Sequence, residues 1–148
     1  SYVRTTCWYV HSLPCTDARG ITRFIKFKLM PCDGETVIGD ERIAQMDANF
    51  LRAELATRIS KGMARVKIVA LLDRPGDPVM DVTLRWPDED SREVVEFGTL
   101  AITAIADDEA CNAAIFNPGS LAAGIGHPPD AIFAARLRAY PISFAGRR

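Results

Sequence analysis

Two residues near the end of the chain, Arg136 and Tyr140, have types and a spacing that could hold a metal ion. On a helix, a separation of four residues puts both side chains on one face, one turn apart. A guanidinium beside a tyrosine hydroxyl stabilises the phenolate, which is a hard anionic ligand for ferric iron and a known axial ligand of haem. The alternative interpretation is an amphipathic helix with a surface arginine and a half-buried tyrosine.

The segment that carries both residues, 128–140, has the composition of a terminal helix. Pro128 and Pro129 stand at its start, where proline is tolerated and its fixed φ favours the first turn. Asp130 follows them, near the positive end of the helix dipole, which favours an anion. The sequence therefore predicts a final helix whose start carries an acidic side chain.

Composition predicts one globular domain over residues 1–148 that stays in aqueous solution, with 48% hydrophobic and 25% charged residues. The net charge of -1 gives no basis for a nucleic-acid partner. No apolar run is long enough to span a bilayer. The chain begins at Ser1 without a signal peptide or initiator Met. This start suggests a processed, trimmed or split product, and both a cytoplasmic and a periplasmic location stay open.

The four cysteines do not form a recognisable metal or disulfide pattern. None belongs to a C-x-x-C pair, and the chain has two histidines; the cysteines are Cys7, Cys15, Cys32 and Cys111. These spacings argue against a zinc site. We expect free and mostly buried thiols.

Residue patterns predict a run of strands with two helices. Residues 8–13 and 21–30 read as a strand hairpin, in which Ile25, Phe27 and Leu29 form a buried face and the lysines point the other way. A helix is predicted over 41–61, strands over 64–72, 79–86 and 93–104, and a solvated acidic turn over 87–90. Adjacent strands of this kind indicate an α+β fold, with an antiparallel sheet or barrel and appended helices.

Several short motifs share their order and spacing with one known family. The segment leading to the final helix reads Phe116-Asn117-Pro118, Gly124-Ile125, Pro129-Asp130 and then Arg-Leu-Arg-Ala-Tyr over 136–140. It resembles the catalase segment that runs from a Phe-Asn/Asp-Pro turn through Gly-Ile and Ser-Pro-Asp to Arg-Leu-Phe-Ala-Tyr. Further matches resemble the small catalase-related haem peroxidases of bacteria: Trp86-Pro87, Thr5-Thr6, and residues 30–34, 97–100 and 140–144.

The resemblance implies a partial catalase-like antiparallel β-barrel with appended helices and a C-terminal proximal haem helix. It implies that Tyr140 is the axial ligand of the iron of haem b and that Arg136 hydrogen-bonds its phenolate. Asp130 corresponds to an aspartate of the same proximal network. Six residues separate Asp130 from Arg136, so a third group should connect them. In catalases this group is a histidine on an early strand, and His11 is the nearest match.

The resemblance also implies haem-dependent oxidation of the catalase or peroxidase type. The substrate would be hydrogen peroxide or an organic hydroperoxide, and the reductant a second peroxide or a small organic donor. The family's distal histidine and asparagine lie well over a hundred residues upstream of the proximal tyrosine. Tyr140 stands near the end of 148 residues, so we expect that region to be absent. His127, in the loop before the helix, is a poor substitute.

Three explanations of the missing distal region stay open. The chain is one piece of a split peroxidase, a shortened protein that binds haem on its proximal side only, or a degenerate domain that serves as a structural or assembly subunit without catalysis. Each favours a homo-oligomer or a partner chain that supplies the missing barrel half, because bare sheet edges invite aggregation.

Overall fold

A computed structural model describes residues 1–147 of the chain. The described residues form an α+β structure whose sheet has the strand order β1-β3-β4-β5, with β2 also paired to β3. The strands are β1 (Cys7–Trp8), β2 (Leu13–Thr16), β3 (Thr22–Pro31), β4 (Ala64–Leu72) and β5 (Val94–Ile102). The helices are α1 (Asp40–Ile43), α2 (Phe50–Lys61), α3 (Asp108–Ala113) and α4 (Ala131–Ala145).

The predicted hairpin is confirmed, although its first strand is shifted. β2 pairs antiparallel with β3, in the register Leu13 to Ile25 and Thr16 to Thr22. The prediction of one strand over 8–13 is wrong, because β1 and β2 are separate strands and Pro14 lies inside β2. The Pro14 carbonyl accepts from the Gly126 N–H at 2.8 Å, so this residue's backbone faces away from β3. Proline is tolerated there because its missing N–H removes no bond from the ladder with β3.

β3 and β4 are also antiparallel. The Cys32 N–H, just after β3, donates to the Arg65 carbonyl near the start of β4 at 3.1 Å. The Asp73 N–H, just after β4, donates to the Phe24 carbonyl near the start of β3 at 2.9 Å. The strand predicted over 64–72 is confirmed at the same bounds, and the one over 93–104 is observed as Val94–Ile102.

Two predicted elements differ from the structure. The helix predicted over 41–61 is two helices, α1 and α2, because the Asp47 carboxylate accepts the Asn49 N–H at 2.8 Å and forms a turn between them. The strand predicted over 79–86 is absent from the described residues. The Asp81 carboxylate there accepts the Thr83 N–H at 2.9 Å, which gives the backbone a turn instead of a ladder.

The described chain divides into two compact units. The first comprises residues 1–8, 28–69 and 96–105, and its core contains Val3, Ala64 and Val66, with Leu55 and Ile59 of α2 packed against them. The second comprises the described residues of 9–27, 70–95 and 106–147. Its core is formed by Leu13, Ile25 and Ala70, with further apolar side chains around them. A single folding domain over 1–148 stays a prediction.

A buried charged cluster in the second unit corrects two predictions. Lys26 is 4% exposed rather than solvated, and its Nζ lies 3.1 Å from the carboxylate of Glu89, which is also buried and not part of a solvated turn. Arg92 and Asp77 form a second buried pair at 2.5 Å. Both cations lie 5.0 Å from the ring centroid of Trp86. Burial is tolerated because each charge has a partner.

The four cysteines are free thiols, as predicted, but their expected burial is wrong. Cys7, Cys32 and Cys111 are exposed, and Cys15 is half-buried. Cys7 lies in the two-residue strand β1 and Cys32 in the turn after β3, and both side chains reach solvent there. Among residues 1–147, no helix is long and apolar enough to cross a membrane.

Candidate functional site

The guanidinium of Arg136 donates directly to the hydroxyl of Tyr140. Both residues lie on α4, one turn apart, and the Arg136 Nη2 to Tyr140 Oη distance is 2.7 Å. The guanidinium carbon lies 5.4 Å from the centroid of the tyrosine ring, and both residues are half-buried. A fixed cation that donates to a phenol oxygen favours its anionic form.

His11 connects Arg136 to Asp130, although 119 residues separate it from the aspartate. The imidazole is fully buried; its Nδ1 lies 2.9 Å from the Asp130 Oδ2, and its Nε2 lies 3.0 Å from the Arg136 Nη1. Arginine only donates, so Nε2 must carry the lone pair. The proton therefore resides on Nδ1 and is donated to Asp130. His11 is held as one neutral tautomer.

Asp130 uses its second oxygen to begin the helix. It is the N-cap of α4, and its Oδ1 accepts the Phe133 N–H at 2.6 Å. Its side chain is 4% exposed, so both oxygens act in a buried setting. One carboxylate thus caps the helix and orients the imidazole. The four residues selected from the sequence form one continuous series of bonds, Asp130–His11–Arg136–Tyr140.

Two aromatic rings flank the His11 imidazole, and the sequence interpretation missed both. The Phe133 centroid lies 5.2 Å from the imidazole at an interplanar angle of 82°, and the Tyr9 centroid lies 5.7 Å from it at 61°. Burial raises the pKa of Tyr9, partly offset by the nearby Arg136. Helical spacing could have found Phe133, because it precedes Arg136 by three residues and shares its face.

Residues 124–126 run beside β2 and lead the chain to the start of α4. The Thr16 N–H donates to the Gly124 carbonyl at 2.7 Å, and the Gly126 N–H donates to the Pro14 carbonyl at 2.8 Å. Gly124 has a φ of +86°, and a Cβ there would lie 3.0 Å from the Thr16 carbonyl oxygen. Because β2 begins just after His11, this pairing positions Asp130 next to the imidazole.

His127 lies outside this series of bonds. Its Nε2 lies 3.1 Å from the Gly119 carbonyl oxygen, and its ring centroid lies 5.4 Å from that of Phe133. The residue is exposed. Its contacts are those of a loop side chain packed over the start of α4.

The Arg136–Tyr140 pair is the part of this network that could hold a haem iron. Within the described part of the chain, no group of three or more His, Cys, Asp and Glu side chains could hold a metal. A haem iron takes its other ligands from the macrocycle and needs only one axial side chain from this face. The Tyr140 oxygen, with Arg136 as its hydrogen-bond donor, could take that position.

Comparison with known proteins assigns the chain to a family. The sequence profile described as Catalase matches residues 1–147. The chain belongs to the catalase family. Its fold is catalase-like, a mixed α+β arrangement on an antiparallel sheet that corresponds to about a third of a catalase chain.

Similar curated proteins come from the catalase-related branch. A "Catalase-related peroxidase" from Synechococcus elongatus is 28% identical over 99% of this chain and 43% of its own length. Another, from Mycolicibacterium paratuberculosis, is 26% identical over 97% of this chain and 45% of its own length. The chain therefore spans less than half of either relative.

Solved catalase structures share the fold at low identity. A fungal catalase superposes with a TM-score of 0.86 at 18% identity, covering 99% of this chain and 32% of its own. Catalase A from Saccharomyces cerevisiae gives a TM-score of 0.85 at 16% identity, covering 99% of this chain and 32% of its own.

Proposed function

We propose that this chain carries the proximal haem side of a peroxide-acting oxidoreductase of the catalase-related type. The observation that carries the proposal is the 2.7 Å bond from Arg136 to the Tyr140 hydroxyl. Tyr140 would bind the iron of haem b through its oxygen. Arg136, His11 and Asp130 would form the hydrogen-bonded support behind that ligand. Family membership and the catalase-related relatives support the same assignment.

The chain's own residues would keep the ligand anionic and fixed. The Arg136 guanidinium donates to the Tyr140 oxygen and would stabilise negative charge on it when it binds iron. The His11 Nε2 accepts a hydrogen bond from the Arg136 Nη1. The imidazole cannot rotate, because its Nδ1 is bonded to Asp130. When bound, the haem supplies the redox-active iron at which hydrogen peroxide or an organic hydroperoxide reacts, with a second peroxide or a small organic donor as reductant.

We propose that the sheet is a section of a β-barrel completed by a homo-oligomer or a partner chain. β5 lies at one end of the strand order, and none of its nine residues is buried in the described structure. Val95, Phe97 and Leu100 on this strand are 48%, 60% and 46% exposed. An apolar edge strand of this length pairs readily with another strand. The catalytic groups of the distal haem side would then come from the second copy or the partner chain.

The same edge favours one alternative, a structural or assembly subunit without catalysis. A chain kept for association would need β5 but not a haem ligand. The two functions differ in whether haem binds to the purified chain.

A haem titration followed by absorption spectroscopy tests the proposal. We expect a Soret band with ferric high-spin features, its loss in Tyr140→Phe, and a weakened or shifted band in Arg136→Ala. Tyr2→Phe, which alters an exposed tyrosine of the other unit, should leave the spectrum unchanged. A chain that stays colourless after haem addition excludes the enzyme proposal. Unchanged spectra in both site variants would refute the ligand assignment.

A further inference from the structure

A cavity of about 280 Å³ in the first unit collects three arginines and one carboxylate. Arg4, Arg42, Glu54 and Arg58 line it, between the first residues of the chain and the helices α1 and α2. Among these side chains, three cations and one anion leave an excess of two positive charges. No role in the proposed haem chemistry accounts for them.

Glu54 and Arg58 neutralise each other. The Arg58 Nη2 and Nε lie 2.6 Å and 3.0 Å from the Glu54 Oε1, and the Ser1 hydroxyl donates to its Oε2 at 2.5 Å. Burial raises the pKa of Glu54, but the bonds from Ser1 and Arg58 outweigh it and hold that pKa below its usual range. This carboxylate is therefore ionised and already bonded. It does not compensate the other two arginines.

Arg4 and Arg42 make no side-chain hydrogen bond or ion pair with any residue between 1 and 147. The Nε of Arg4 is buried and has no acceptor. A buried donor without a partner costs free energy, and an acceptor bound in the cavity would remove that cost. The planar guanidinium matches the two oxygens of a carboxylate.

Apolar side chains form part of the remaining cavity wall, beside Ser1 and Thr36. Ile38, Met46 and Phe50 line the same space. An inorganic anion would satisfy the arginines but leave these side chains in water, whereas an organic anion would cover them. We propose that this cavity binds an organic carboxylate with an apolar body, whose carboxylate pairs with Arg4 and Arg42. The proposal is independent of haem binding.

Titration of the full chain with hexanoate, followed by calorimetry and by NMR chemical shifts, tests this site. We expect saturable binding to one site, with shifts confined to residues around the cavity. Hexan-1-ol has the same apolar body without the charge and should bind at least tenfold more weakly. Inorganic phosphate has the charge without the body and should also bind at least tenfold more weakly. Equal affinity for phosphate, or no saturation by hexanoate, would overturn the proposal.

Arginine variants assign the binding to the cavity. Arg4→Gln and Arg42→Gln should each weaken hexanoate binding about tenfold or more, and the double variant should abolish it. Arg65→Gln, which changes an exposed arginine of β4, is the matched control and should bind as the parent does. Because Arg42 is exposed, its variant keeps the test decisive if Arg4→Gln fails to fold. Hexanoate affinity unchanged in Arg42→Gln would contradict the assignment.

Discussion

His11 is the residue on which the geometry of the site depends, because both of its ring nitrogens are hydrogen-bonded. Asp130 accepts from Nδ1 and Arg136 donates to Nε2, so a single tautomer satisfies all three residues. Rings on two sides leave the imidazole no room to turn. The position of the Arg136 guanidinium at Tyr140 therefore depends on the His11 proton, which lies on Nδ1 in the hydrogen bond to Asp130.

Replacing Asp130 tests this dependence. In Asp130→Asn the amide oxygen can still cap Phe133, but the amide NH2 faces His11 and favours the tautomer with the proton on Nε2. We expect a loss of about 2 kcal/mol in the free energy of unfolding. Asp130→Ala should cost about 1 kcal/mol more, because the cap is lost as well.

Urea unfolding gives these free energies, and 15N NMR of His11 identifies the tautomer. Asp130→Glu, which keeps the charge, separates the loss of the carboxylate from a change of geometry. An Asn variant with the parent's stability and the parent's tautomer would contradict the model of a tautomer fixed by Asp130.

The buried pair Arg92–Asp77 should make stability depend on pH. The hydrogen bonds from Arg92 hold the pKa of Asp77 below its usual range. A lowered folded-state pKa gives stability that is present above the unfolded pKa, near 4, and is lost as pH falls through the folded value. Asp77→Asn should therefore lose about 3 kcal/mol at neutral pH, and the difference should shrink below about pH 4.

Urea unfolding of both proteins across this pH range measures the effect. Glu96→Gln is the control, because the Lys67–Glu96 pair is exposed and should contribute less than about 1 kcal/mol. A difference for Asp77→Asn that stays constant down to pH 2 would refute the linkage.

At the scale of elements, the pairing of residues 124–126 with β2 joins two distant parts of the second unit. It places the start of α4 beside the strand that follows His11. The backbone approaches β2 closely at Gly124, where a side chain would meet the Thr16 carbonyl. The site therefore depends on a glycine that touches none of its four residues.

Comparing Gly124→Ala with Gly20→Ala separates the cost of a left-handed backbone from the cost of steric contact with β2. Both glycines have a positive φ, +86° and +81°, but a Cβ at Gly20 would meet nothing within 4 Å. We expect a loss of about 1 kcal/mol for Gly20→Ala from the left-handed backbone alone. Gly124→Ala should lose about 3 kcal/mol, because crowding is added. Thermal and urea unfolding measure both, and equal losses would show that the approach to β2 is not tight.

Some elements could be predicted correctly because the residue types that determine them lie within the element itself. The run of β-branched and apolar residues in β4 has no glycine or proline to interrupt it, and its bounds were predicted correctly. Burial of Lys26 could not be predicted, because its partner Glu89 lies 63 residues away. The break before α2 depends on one side-chain bond from Asp47. His11 was selected through family resemblance, since its own neighbours do not distinguish it from a surface histidine.

At the scale of the whole molecule, the proposed association rests on the exposed β5 strand. Leu100→Lys places a charge on that edge, and charged edge strands resist pairing. If β5 mediates association, this variant should be monomeric at concentrations where the parent associates. Val37→Lys, at a residue 93% exposed outside the sheet, should leave association unchanged.

Sedimentation velocity across a concentration series measures the association. An identical distribution of species for Leu100→Lys and the parent would exclude β5 as the interface.

The chain carries an optical reporter in each compact unit. Trp86, 1% exposed between the cations Lys26 and Arg92, belongs to the second unit, and Trp8, 37% exposed near Lys28, belongs to the first. Buried indoles emit at shorter wavelength than exposed ones, so the fluorescence of Trp8→Phe and Trp86→Phe follows the units separately. Coincident denaturation midpoints would indicate one cooperative domain. Two separated midpoints would show that the unit carrying Tyr140 unfolds separately from the other unit.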